Sequence, residues 1–94
     1  MSSDNNPFGD QKVNYPAKVA MKVIVYSSYT EEERESAIEG VLHGLSLKGR
    51  DKKTKLSNGG RYISHSFTTI IGSTEKLEKL YSKLRELEVV KMLL

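Results

Sequence analysis

Twice in this chain an alternating, β-branched stretch runs directly into a helix-capping sequence, and that ordering constrains the fold more than any other feature. The first stretch is Lys18 to Tyr26, with Val19, Met21, Val23 and Val25 on one face and Ala20, Lys22, Ile24 and Tyr26 on the other. Apolar side chains on both faces mark a central strand. Thr30-Glu31-Glu32-Glu33 then reads as a capping box, in which Thr30 accepts from a first-turn amide and Glu33 reaches back. Ala37, Ile38, Val41, Leu42 and Leu45 follow at helical spacing and form one apolar stripe. The second stretch is Arg61 to Ile71, where Ile63, His65, Phe67, Thr69 and Ile71 make the bulkier, core-facing set. Tyr62, Ser64, Ser66, Thr68 and Ile70 make a hydroxyl-rich opposite face. Gly72-Ser73-Thr74 ends that strand and caps a helix over about 75–86, with Leu77, Leu80, Tyr81, Leu84 and Leu87 as its stripe and Glu75 spaced to pair with Lys79.

Two weaker strands complete the pattern. Asp51 to Leu56 is polar and reads as an edge strand, joined to the next by the hairpin signal Asn58-Gly59-Gly60. Val89 to Leu94 closes the chain; simple alternation sets Val90, Met92 and Leu94 against Val89, Lys91 and Leu93. The order β-α-β-β-α-β predicts an α+β, ferredoxin-like two-layer sandwich. Its antiparallel four-stranded sheet has order 4-1-3-2, with both helices on one face. Right-handed crossovers are expected to place the first and third strands centrally and parallel. Residues 1–14, with only Phe8 and Val13 as large apolar groups, read as a disordered N-terminal tail, and 15–94 as a single domain. Tyr15-Pro16 sets an extended run into the first strand.

Composition narrows the chemistry. The 94 residues contain no Cys, which excludes disulfides, thiol catalysis and Cys-ligated metal. No apolar run approaches the roughly 18 residues that span a bilayer. The N-terminus has no signal-peptide pattern, so the expected location is cytoplasmic, with no membrane contact. No nucleophile elbow, P-loop or dinucleotide fingerprint is present. His43 and His65, the two histidines, lack metal-ligand spacing, and His65 on the core face reads as a hydrogen-bonded structural residue. The Glu31–Glu35 cluster is accounted for by capping and the helix dipole. The expectation is a non-enzyme with no cofactor, no metal and no catalytic residues.

Charge is unevenly placed. The net charge is +3 and the pI about 9.2. Lys48, Arg50, Lys52, Lys53 and Lys55 cluster against a single acid, Asp51, while Glu31, Glu32, Glu33, Glu35 and Glu39 cluster on the first helix against Arg34. The basic group is read either as a polyanion patch or as Lys protection of a sheet edge. RNA-recognition domains share this topology, but their aromatic-rich third strand is matched here by Gly60 to Phe67, with Tyr62 as its one aromatic on the open face.

Tyr15-Pro16 leading to Lys18-Val19, then Gly60-x-Tyr62-x-Ser64-x-Ser66-x-Thr68, then Leu80-Tyr81, and finally Leu87-Glu-Val-Val-Lys-Met-Leu-Leu94, together resemble the YbeD-like family of short bacterial proteins. The resemblance spans about 15–94 and is strongest from Gly60 onward; the basic stretch 48–55 is where the chain departs most. It implies a ferredoxin-like fold and similarity to ACT-type regulatory domains, which bind small effectors such as amino acids between paired domains. It brings no catalytic residues. The Gly-rich loop that ACT domains place after their first strand has no counterpart in Ser27-Ser28-Tyr29-Thr30.

The favoured expectation is a non-enzymatic regulatory or adaptor module that contacts a protein partner, or a second copy of itself, through its open sheet face. That face is assigned Ile24, Tyr26, Tyr62, Ser64, Ser66, Ile70, Val89 and Leu93. The competing reading lets the tail, with Phe8, fold across it. An ACT-like domain for a small effector (an amino acid or metabolite) is the alternative, and RNA binding through the basic loop 48–55 a further one.

Overall fold

The computed structural model describes residues 14–94, so the tail reading for residues 1–14, with Phe8 laid across the sheet, falls almost wholly outside the described residues. The elements are β1 (Ala17–Tyr26), α1 (Glu31–Gly44), β2 (Arg50–Leu56), β3 (Tyr62–Ile71), α2 (Thr74–Arg85) and β4 (Val90–Leu93). The sheet order is β2-β3-β1-β4, the 4-1-3-2 order read from the other edge.

All three strand pairings are antiparallel. The expectation that the two central strands run parallel is thereby corrected. A crossover through α1 makes β1 parallel to β2, but the tight β2–β3 hairpin reverses β3, and β3 lies between them. β1 and β3 pair along their full lengths, from Ala17 opposite Ile71 to Tyr26 opposite Tyr62.

The helix-side face is the core. Met21, Val23 and Val25 of β1, Phe67 and Ile71 of β3, Ile38 and Leu42 of α1, and Leu77, Leu80 and Leu84 of α2 are buried together. Both helix starts follow the sequence. Glu33 N–H donates to Thr30 Oγ1 at 3.1 Å and Thr30 N–H to Glu33 Oε1 at 2.8 Å, while Lys76 N–H donates to Ser73 Oγ at 3.1 Å. The Glu75–Lys79 pair is absent among the ion pairs of the described residues. Lys76 instead ties α2 to the end of α1, its ammonium donating to the Leu45 carbonyl at 2.8 Å.

Gly49 is the glycine that packing requires: a Cβ there would stand 3.1 Å from Leu42 Cδ1 and 3.5 Å from Phe67 Cδ2. Gly40 and Gly44 face open space, so α1 makes no close approach through them. In the hairpin only Gly60 takes positive φ, at +75°, and the Gly60 N–H closes the turn on the Ser57 carbonyl.

β4 corrects the sequence reading. Alternation carried through 89–94 set Val89 and Leu93 on the open face. Instead Val89 is 6% exposed within the core, and Leu93 packs against the core from opposite Val23. Met92 lies opposite Ile24, and the register shifts between Ile24 and Val25. Val89 and Leu93 do share a face, as alternation has it, but that face is the core. The extra residue at the shift is exposed Lys91, whose charge made its alternating set read as the open one.

Candidate functional site

Register assigns the open face residue by residue, because directly opposed residues point to the same side of a sheet. One row across it reads Lys55, Ser64, Ile24, Met92, and a second reads Lys53, Ser66, Lys22. Arg50 and Ala20 flank Thr68, Lys18 stands beside Ile70, and Tyr26 faces Tyr62 at the hairpin end. Their rings lie 5.8 Å apart, inclined at 46°.

The structure thus merges two groups that the sequence kept apart. Ile24, Tyr26, Tyr62, Ser64, Ser66 and Ile70 are on the open face with Arg50, Lys53 and Lys55 of the basic stretch. Val89 and Leu93 leave it; Met92 joins, followed two residues on by Leu94. Lys18 and Lys22 of β1 also join, although scanning for charge runs missed them. Lys residues at alternate positions of a mostly apolar strand form no run, and only β1–β3 pairing brings them beside β2.

The remaining basic residues go elsewhere. Lys48 precedes β2, exposed. Lys52 turns to the helix side and pairs with Glu39 of α1. The turnaround is a bulge between Arg50 and Lys53, where Asp51 sits at φ +54°. Asp51 accepts from Thr68 Oγ1 at 3.1 Å and lies 3.9 Å from Lys18 Nζ. Left-handed geometry is tolerated by Asp, and the hydrogen bond steadies it. The open face therefore carries five cations and one acid, and Lys22, Arg50, Lys53 and Lys55 have no acidic partner among the described residues. Strands spaced about 4.8 Å apart keep neighbouring charges within one Debye length, so their fields add. Apolar groups interrupt the charge: Ile70, Met92 and Leu94 are 52%, 46% and 62% exposed.

The opposite side of the β2–β3 edge holds a different feature. α1 and α2 do not cover β2, leaving a cleft of about 220 Å³ lined by Glu31, Glu35, Ile38 and Glu39 of α1 and by Lys52, Lys53, Thr54, His65, Ser66 and Phe67 of the sheet. His65 is 7% exposed, and its Nε2 has no hydrogen-bond partner among the described residues. The hydrogen bonds expected of a structural histidine are not made at that atom; leaving such a group unsatisfied costs about 1–3 kcal/mol. Burial first, then the Arg34 guanidinium, hold the imidazole below its ordinary pKa, while Glu35 and Glu31 pull the other way. His43 is exposed on α1. No group of three or more His, Asp or Glu able to hold a metal ion occurs among the described residues.

The loop after β1 is closed by its own bonds. Ser27 N–H donates to the Arg61 carbonyl at 3.0 Å and Ser27 Oγ to the Gly60 carbonyl at 2.6 Å, pinning the loop to the β2–β3 hairpin. Among the described residues no helix is long and apolar enough to cross a membrane.

A four-stranded antiparallel sheet with two helices on one side, its opposite face uncovered among the described residues, defines a ferredoxin-like domain. By sequence the chain belongs to the family described as Protein of unknown function (DUF493), whose model matches residues 10–94. A UPF0250 protein of Shewanella piezotolerans (strain WP3 / JCM 13877) is 35% identical over 85 residues, covering 90% of this chain and 93% of that protein. The solution structure of protein HP0495 from H. pylori superposes with a TM-score of 0.72 at 18% identity, over 100% of this chain and 94% of that one. The ACT domain from GTP pyrophosphokinase of Chlorobium tepidum superposes at 0.62 and 16% identity, over 82% and 94%. At those identities the two structures carry the fold alone. The family resemblance and the ferredoxin-like topology read from the sequence both stand.

Proposed function

We propose that this protein is a non-catalytic regulatory or adaptor module whose open sheet face docks a protein partner bearing an apolar patch rimmed by carboxylates. The observation that carries the reading is the interleaving of exposed Ile70, Met92 and Leu94 with four cations that have no acidic partner among the described residues, on one continuous surface. Purely electrostatic recognition of nucleic acid needs no exposed aliphatic groups. Base stacking needs accessible ring faces, whereas Tyr26 and Tyr62 pack on each other, half-buried. A second copy of the same face is a poor partner, since it would set cation against cation. Likeness to an ACT domain carried by a larger protein supports a module that acts alongside another chain.

The test is capture from an extract of the protein's own cells, with and without nuclease, using wild type, Lys22→Glu/Lys53→Glu, Met92→Glu and Lys52→Ala. A specific protein is expected to survive nuclease, to weaken as salt rises, and to be lost from the first two variants but kept by Lys52→Ala. Capture that disappears with nuclease would make the face a nucleic-acid surface. Equal capture by all variants would place the contact elsewhere.

A further inference from the structure

We propose that the cleft between α1 and the β2–β3 edge binds a small organic cation, a primary ammonium or guanidinium on a short apolar body, through Glu31 and Glu35 with the His65 imidazole as a further acceptor. The site opens on the side of the sheet opposite the docking face and meets it at the β2 edge, where Lys53 and Ser66 line the rim.

Four observations converge. Glu31 and Glu35 are one helical turn apart on the face of α1 that lines the cleft, and neither carboxylate has an ion pair or side-chain hydrogen bond among the described residues. Glu39, the third acid of that face, is already taken by Lys52, which closes the rim of the cleft. His65 lines the same cleft, is more than nine-tenths buried, and has an Nε2 with no partner among the described residues. Ile38 and Phe67 supply apolar contact for a ligand body. A cation with several N–H donors satisfies two carboxylates and an imidazole nitrogen together, whereas an anion would face both unpaired carboxylates with Lys53 as its one unpaired cationic contact among the described lining residues. Size sets the other limit. A cleft of about 220 Å³ falls below the roughly 300 Å³ at which drug-sized pockets begin, so it suits a small amine and not a nucleotide.

Burial and Arg34 favour the neutral imidazole, which keeps one ring nitrogen available as an acceptor; Glu31 and Glu35 act against this from α1. A bound cation lowers the pKa of His65 further, because it adds positive charge beside the ring.

The experiment is NMR titration of the full chain, following the His65 ring and the α1 amides, with exposed His43 as the internal reference. The probes are n-butylamine, putrescine and agmatine, with butyrate and n-butanol as anionic and neutral controls of similar size. Saturable shifts at His65 and at residues 31–39 are expected with the amines and not with the controls, together with a downward shift of the His65 titration. Glu31→Gln/Glu35→Gln should weaken the apparent affinity at least about tenfold while leaving the fold intact, since both side chains are exposed. His65→Gln, which retains an acceptor, should weaken it less than His65→Leu. Absence of saturation up to about 10 mM amine, equal response to butyrate, or full affinity in the double Gln variant would each overturn the proposal.

Discussion

The open face and the helix-side face of this sheet are built from alternate residues of the same strands, yet they differ in what holds each residue in place. On the helix side, Val23, Val25, Ile71, Leu80 and Leu84 are wholly buried, and their identity is set by volume and by the removal of apolar area from water. On the open side, nothing among the described residues covers Lys22, Lys53, Ile70 or Met92, so packing imposes no such demand. Cations and isolated aliphatic groups placed there are free to serve contact. A single backbone thus separates residues that stabilise from residues available for recognition, and the two sets should respond to substitution in opposite ways.

The contrast breaks most sharply on truncation. Leu80→Ala should lose about 2–5 kcal/mol by cavity formation, whereas Ile70→Ala on the open face should change stability by at most about 0.5 kcal/mol. β4 gives the next largest difference. Leu93→Glu and Met92→Glu introduce the same charge one residue apart, but Leu93 packs against the core and Met92 faces out. Leu93→Glu is expected to cost about 1–3 kcal/mol in urea melts, because a carboxylate replaces apolar packing at a half-buried position against the core. Met92→Glu should melt within about 0.5 kcal/mol of wild type. Equal losses would mean that the pairing of Met92 with Ile24 and Leu93 with Val23 is misplaced.

Smaller effects sharpen the same picture. Thr30→Ala removes one half of the capping box that starts α1 and should cost about 1 kcal/mol, with Thr30→Ser recovering most of it. The smallest effect concerns pH. Because the folded chain holds His65 below its ordinary pKa, the unfolded chain takes up the proton first as pH falls through about 6.5. Stability should therefore decline below that point and level off once the native imidazole is also protonated. His65→Gln should flatten this part of the curve in urea midpoints measured from pH 7.5 to pH 5; a midpoint that rises on acidification in wild type would contradict the burial of a neutral ring.

Much of the fold was legible because local rules and tertiary packing agree. β1 and β3 alternate without interruption, so their faces follow from counting alone. Thr30 and Ser73 cap where their spacing to the amides at Glu33 and Lys76 places them. The open face was legible only in part. Ile24, Tyr62 and Ile70 follow from strand periodicity, whereas in β4 alternation groups the residues without fixing their side. Both sets are mostly apolar, and Lys91, the extra residue at the bulge, points its own set to the wrong face. The cleft was invisible for a different reason. Glu31 and Glu35 are explained by capping, and His65 by its place on a core face. Their meeting depends on α1 lying across the sheet without covering β2.

The sequence by itself determined the βαββαβ order, the caps, the hairpin and the core of β1 and β3, since each rests on interactions between residues near in the chain or on simple periodicity. Only the tertiary structure decided which cations share a surface, that Lys52 turns away to Glu39, that Met92 replaces Leu93 on the open face, and that His65 looks into a cleft. Those outcomes depend on strand register and on how far two helices extend over four strands. Both are set by long-range pairing and packing, which no short window of residues encodes.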